Sequence, residues 1–356
     1  MKNIVFFIQN ISHSAGSERV TSILANSLCA KGFHVTILSI CGKNSCFYEL
    51  DSRIELKTLF NKENVDNKKS FFQVYFKLRK FYKSHKTDLV IDVFASLSIY
   101  TLNLKRKFGF KNITWEHFNS FANVGFNKIG RKYAAKKSDC IVVLTDIDKS
   151  HYQKIFPRMS ARIERIFNPL PYKNEALDLS ERRNIVLSVG RLTYQKGFDV
   201  MIKAWNKIDK KGWQLLIIGE GEEEQQLNEI IKDSNCENIC LLPSTSKIDG
   251  YYKQAKIYLS TSRFEGLPMT MLEAQAFGIP IISFDYNTGP KDIINHAENG
   301  FLIENNNVDM LCEYITSLLC DEEKIKEFSY NAFESSKRFE SSIIISQWLK
   351  LIEELI

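Results

Sequence analysis

Arg263-Phe264-Glu265-Gly266-Leu267-Pro268-Met269-Thr270-Met271-Leu272-Glu273-Ala274-Gln275 places a loop, a helix start and two carboxylates side by side. Pro268 suits the first position of a helix, because the N–H it lacks would find no partner there. The pattern predicts a helix through Met269 to Phe277, stopped at Gly278. Glu265 then falls in the loop before the helix and Glu273 about a turn and a half inside it. Between them, the unpaired N–H groups of the first turn and the helix dipole make a site for a negatively charged oxygen. Two carboxylates beside an anion site suit a ligand with both hydroxyls and phosphates, such as a nucleotide sugar. The alternative is an ordinary helix whose Glu273 is merely solvated.

Around this stretch the second half of the chain alternates strands and helices. Strands are predicted at Asn184–Val189, Trp213–Ile218, Asn238–Pro243, Ile257–Ser260 and Pro280–Phe284, which makes a doubly wound sheet. Gly190-Arg191-Leu192-Thr193-Tyr194-Gln195-Lys196-Gly197 follows the first of them. Two cationic donors five apart on a glycine-bounded loop are able to close on a diphosphate; their default reading is exposed loop charge. The first half repeats the architecture. Asn3–Ile8, a small-residue turn ending in Gly16, a helix to Lys31-Gly32 and Phe33–Ile40 form a βαβ unit. The turn is not the G-x-G-x-x-G dinucleotide fingerprint. Leu89–Phe94, Asn112–Trp115 and Cys140–Leu144 are apolar throughout, as buried parallel strands are. His117 lies just past the end of one of them, at the edge where open α/β sheets bind ligands.

Taken together these residues resemble the retaining glycosyltransferases of family 4. Glu265 and Glu273, with Gly266-Leu267-Pro268 after the first, are similar to the family's donor-site motif. Val189-Gly190-Arg191-Leu192 and Lys196-Gly197-Phe198-Asp199 resemble its diphosphate loop. Glu18-Arg19 resembles one subgroup's first turn, although Ala15-Gly16 stands where paired glycines are usual. Tyr286-Asn287-Thr288-Gly289-Pro290 resembles a variant found among bacterial surface-polysaccharide enzymes. The resemblance implies the GT-B fold: two Rossmann-like domains facing a central cleft, with the C-terminal helix crossing back to the first. The boundaries are then 1–170 for an acceptor-binding domain, 171–183 for a linker, 184–338 for a nucleotide-sugar domain and 339–356 for the final helix.

Roles follow from the same resemblance. Gly16, Arg191, Lys196, Leu267 and Met269 are expected at the donor diphosphate. Gly266, Thr270 and Glu273 are expected at the donor sugar and nucleotide, with His117 and Glu265 as the catalytic contacts to the sugar. The implied reaction moves a hexose or N-acetylhexosamine from a UDP-linked donor to a lipid-linked glycan, with retention, as in O-antigen (lipopolysaccharide) or capsule assembly. No resident cofactor and no metal are expected. A nucleotide-sugar 2-epimerase of related fold is the alternative, and a non-catalytic sugar-binding relative the third class. A glycoside hydrolase reading of the two glutamates requires activity without nucleotide.

Charge and composition bound the partners. Residues 1–170 hold 28 Lys+Arg against 13 Asp+Glu, a balance of +15, which leaves −9 for residues 171–356. A basic half suits nucleic acid or an anionic membrane; with no nucleic-acid module visible, nucleic acid is not expected. Projected as a helix, Phe71–Lys86 gathers Val74, Leu78, Phe81 and Tyr82 on a core arc. Phe72 and Phe76 fall among Arg79, Lys80 and Lys83, which suits insertion at an anionic membrane surface; a solvated sheet helix is the alternative. Lys105-Arg106-Lys107, Lys111, Arg131-Lys132 and Lys136-Lys137 extend that face. No run reaches the length of a membrane span. The eight cysteines lack metal or disulfide spacing, which reads as reduced thiols of a cytoplasmic chain. With the basic face, the expected location is cytoplasmic and peripheral at the inner face of the plasma membrane.

Overall fold

A computed structural model describes residues 1–66, 69–122, 125–172, 176–234 and 236–356. The chain divides into two compact units: Met1–Pro171 with Ser341–Ile356, and Tyr172–Glu340.

The first unit is built on seven parallel strands: β1 (Asn3–Ile8), β2 (His34–Cys41), β3 (Glu55–Phe60), β4 (Leu89–Val93), β5 (Lys111–Trp115), β6 (Cys140–Val143) and β7 (Arg162–Arg165). Their order across the sheet is β3-β2-β1-β4-β5-β6-β7. The chain therefore leaves β1 in one direction and returns at β4 on the other side, which puts a topological switch point between those two strands. β4 is buried along its whole length, because helices cover both faces of the sheet. The helix Ser341–Leu355 belongs to this unit, and its Trp348 packs against Trp115 with ring centroids 4.9 Å apart. Ser341 also donates to the carbonyl of Leu170.

The second unit holds β8 (Arg183–Val189), β9 (Gln214–Ile218), β10 (Ile239–Leu242), β11 (Ala255–Ser260), β12 (Ile281–Asp285) and β13 (Gly300–Glu304), all parallel. The order β10-β9-β8-β11-β12-β13 puts its switch point between β8 and β11. Of the predicted linker, residues 173–175 lie outside the described residues. Residues 176–182 carry no regular element, yet they are stapled down: Arg182 donates to the carbonyls of Tyr252, Ala255 and Phe277.

Three strands were not predicted. β3 and β7 end the first sheet, where one face or edge meets water and the apolar signal thins; β7 buries only Ile163. β13 is a short run, Gly300–Glu304, at the edge of the second sheet, where it pairs with β12. The helix after Glu265 runs Met269–Ala276. Pro268 is its cap, with an extended backbone (φ −73°, ψ 107°), and not its first turn as predicted.

Candidate functional site at the strand ends

In the second unit, three loops leave the C-terminal ends of β8, β11 and β12 and are tied to one another. Gly197 has φ +65°, and a Cβ there would sit 2.2 Å from the carbonyl oxygen of Thr261, so only glycine lets the first loop lie against the second. Thr261 Oγ1 donates to the Gly197 carbonyl at 2.9 Å. The Arg263 amide donates to Gln195 O at 2.8 Å, and Gln195 Nε2 donates back to Phe264 O at 2.9 Å. Arg263 lies over the Tyr194 ring at 4.0 Å and makes a forked pair with Asp199 at 2.9 and 3.0 Å. Sequence reasoning gave neither Arg263 nor Asp199 a role, because their pairing spans 64 residues.

Lys196 and Glu265 meet at the centre of this arrangement. The Lys196 ammonium donates to both oxygens of Glu265, at 2.9 and 3.1 Å, and the two side chains are mostly buried. Ser262 Oγ adds a third donor to the same carboxylate at 2.6 Å. The sequence separated these residues into a diphosphate group and a sugar group; folding brings them into contact at the switch point. An ammonium has three N–H donors, so two bonds to Glu265 leave a third for an anion. Arg191 is exposed and has no ion-pair partner among the described residues. Leu267 is buried, and Gly266, Met269 and Thr270 are half-buried around the start of the helix. Glu273 is buried inside the helix, where Tyr252 donates to its Oε2 at 3.0 Å. It is not the solvated carboxylate of the alternative reading. Among the described residues, no group of three or more His, Cys, Asp or Glu is placed to hold a metal.

In the first unit, Gly16 opens the helix Gly16–Ala30 directly after the β1 loop. His117 follows β5. Its ring packs on Trp115 (4.4 Å between centroids) and edge-on to Phe94 (5.3 Å), and its Nε2 is buried without a hydrogen-bond partner. Burial pushes its pKa down to about 3, so the imidazole is neutral at neutral pH. Phe94 itself adopts φ +106°, a strained conformation for a non-glycine residue, at the end of β4.

The loop carrying His117 is held from beneath. Arg131 is fully buried. It pairs with Glu116 at 2.8 Å and donates to the carbonyls of Asn119, Ser120 and Ala122 at 2.9–3.1 Å. Tyr152 donates to the same Glu116 carboxylate at 2.9 Å. Arg131 therefore does not belong to the basic surface where sequence reasoning put it; a charge spaced among lysines turned inward because its helix brought it under a loop of free carbonyls. Lys132, Lys136 and Lys137 are exposed. So are Phe72 (72%), Phe76 (57%), Arg79, Lys80 and Lys83 on the outer side of the helix Phe71–Ser84, while Val74, Leu78, Phe81 and Tyr82 face the core. Among the described residues, no helix is long and apolar enough to cross a membrane.

A parallel sheet with charged loops converging at its switch point, joined in one chain to a second Rossmann-like unit, has the architecture of the GT-B glycosyltransferases. The comparisons agree. The family described as "Glycosyl transferases group 1" matches residues 173–335. An uncharacterized glycosyltransferase of Haemophilus influenzae is 35% identical over 98% of this chain and 99% of its own. A Campylobacter jejuni α-1,4-N-acetyl-D-galactosaminyltransferase, named for a diNAcBac-PP-undecaprenol-linked glycan, is 30% identical over 100% of this chain and 99% of its own. A variant of S. aureus TarM, solved with fondaparinux, alpha-GlcNAc-glycerol and UDP, superposes with a TM-score of 0.81 at 18% identity, covering 99% of each chain. The chain belongs to the group 1 glycosyltransferases and has the GT-B fold.

Proposed function

We propose that the protein is a retaining transferase that moves a hexose or N-acetylhexosamine from a UDP-linked donor to a lipid-linked glycan in bacterial surface-polysaccharide assembly. The observation that carries the reading is the Lys196–Glu265 pair at the switch point of the second unit, beside the start of the Met269 helix. The third N–H of Lys196, the exposed Arg191 and the amides around Gly266, Leu267 and Met269 bind the diphosphate, and the charge that grows on it as it leaves is stabilised there. Glu273 and Thr270 face the nucleotide. The names of the relatives favour a transferase over a nucleotide-sugar 2-epimerase.

The chemistry follows from what Glu265 is bonded to. A carboxylate held by an ammonium and a hydroxyl is a poor nucleophile, so a covalent glycosyl intermediate on Glu265 is disfavoured. The acceptor oxygen attacks the anomeric carbon on the face from which the diphosphate departs. A phosphate oxygen takes the acceptor proton, and the configuration is retained. The first unit is the acceptor half, where Gly16 lines a strand-end loop and neutral His117 offers a hydrogen bond to a sugar hydroxyl. Phe72 and Phe76, ringed by Arg79, Lys80 and Lys83, seat the protein on an anionic membrane at the cytoplasmic face.

The test is a thermal-shift panel of UDP-, GDP- and dTDP-sugars, followed by NMR of the anomeric proton in the product formed from the sugar that binds. Stabilisation by a UDP-sugar and a product with the donor's configuration are expected. An inverted product, or stabilisation by none of the UDP-sugars, overturns the reading.

A further inference from the structure

The segment Tyr286-Asn287-Thr288-Gly289-Pro290, which the reaction leaves without a part, lies against the loop that begins the Met269 helix. Thr288 is fully buried, and its Oγ1 donates to the main-chain carbonyl of Glu265 at 2.6 Å. Gly289 has φ +106°, and a Cβ there would sit 2.5 Å from Gly266 O and 2.7 Å from Pro268 Cδ. Tyr286 is buried beside them and its hydroxyl reaches the Met271 sulfur at 3.8 Å. Glu265 is thus fixed from three strand ends: Lys196 from β8 and Ser262 from β11 hold its carboxylate, and Thr288 from β12 holds its backbone.

We propose that Thr288 is a positioning residue for transfer: by anchoring the Glu265 carbonyl it sets the direction of the amides that follow, with Gly289 leaving the space for that contact. The inference rests on the reading of those amides as the diphosphate site. Thr288 touches no reacting atom and acts through the peptide it holds. A part-buried carbonyl that loses this 2.6 Å donor reorients towards another, and the amide on the other side of the same peptide plane turns with it. Nucleotide affinity is spread over several groups, whereas the chemical step depends on the position of these few. Loss of the anchor therefore falls on turnover.

Thr288→Val keeps the shape and removes the donor; Thr288→Ser keeps the donor. With UDP release from the UDP-sugar that binds as the assay, Thr288→Val is expected to lower kcat by about tenfold or more while the Kd for UDP moves by less than about threefold, and Thr288→Ser to stay within about threefold of the parent. Gly289→Ala is expected to show the same split. Turnover of Thr288→Val within about twofold of the parent, or a loss in UDP affinity as large as the loss in turnover, overturns the proposal. Amide exchange supplies a readout that needs no donor. The 265–269 amides of Thr288→Val are expected to exchange about tenfold faster with those of β11 unchanged, and equal exchange overturns the anchor itself. A parent protein that releases UDP from no UDP-sugar, with the exchange effect present, defeats the donor-site reading and leaves the anchor standing.

Discussion

The loop complexes of the two sheets are stabilised in different ways. At the end of the second sheet, charged groups pair just below the surface: Lys196 with Glu265 and Arg263 with Asp199, every partner mostly buried yet still reached by solvent, and joined by short hydrogen bonds between loops. At the end of the first sheet the charge is hidden. Arg131 and Glu116 are buried beneath the loop, and what the loop shows to solvent is aromatic: Phe118 (49%) stacked on Phe94, and Phe121 (43%) stacked on His151. One end is a polar cradle whose cations keep spare donors. The other is an apolar surface with a rigid polar underside. The difference shows where a small anionic group and where a larger, mostly carbon-faced group would find complementary surroundings.

That contrast breaks most sharply at Arg131. Arg131→Leu leaves the Glu116 carboxylate buried without its cation and takes the guanidinium from three loop carbonyls, and removing one partner of such a pair costs about 3–5 kcal/mol. Chemical denaturation is expected to show that loss in the first unit, while UDP binding by the folded protein changes little. A cost under about 1 kcal/mol, the level of an exposed pair, would show that the underside is not what holds the loop.

A smaller effect is expected at the helix Phe71–Ser84. Replacing Phe72 and Phe76 with Ser removes two exposed rings from a basic face, and sedimentation with anionic vesicles should fall by roughly tenfold or more. Sedimentation equal to that of the parent would leave the face merely solvated.

The smallest expected effect sharpens the contrast in buried charge. Asp92, at the centre of the first sheet, accepts from Ser98, Thr101 and Asn112 through one oxygen, while its Oδ1 has no partner. Burial pushes its pKa up to about 7. A raised carboxyl pKa means the fold favours the protonated form: its contribution is complete below about pH 4 and is lost as pH rises through 7. His117, lowered to about 3, acts in the opposite sense, contributing fully above its ordinary value and losing that contribution as pH falls. The Asp92→Asn variant should therefore have a thermal midpoint that declines less between pH 4 and 7 than the parent's. Identical slopes would place the carboxyl's ionisation outside that window.

The second unit's candidate site was more legible in the sequence than the first's, for a physical reason. A strand end, a glycine-bounded loop and a helix start are local features, so Arg191, Lys196, Glu265 and the helix that follows could be found within two short stretches. The β-strands buried on both faces, such as Leu89–Val93, were legible for the same reason: their composition alone marks them. What escaped were partners brought from a distance. Thr288 meets Glu265 from 23 residues away, and Arg131 meets Glu116 from 15. A lysine-rich helix gives no sign of which cation turns inward, because that depends on the carbonyls waiting beneath it. Edge strands such as Arg162–Arg165 lack the apolar signal for the converse reason, having too little to bury.

The central claim is that Lys196, held by Glu265, supplies charge to a bound diphosphate. Calorimetric titration of UDP into the parent and into Lys196→Ala tests it most directly. The account predicts saturable binding by the parent, weakened about tenfold or more in the variant while the variant remains folded. Equal UDP affinity in the two proteins would contradict it.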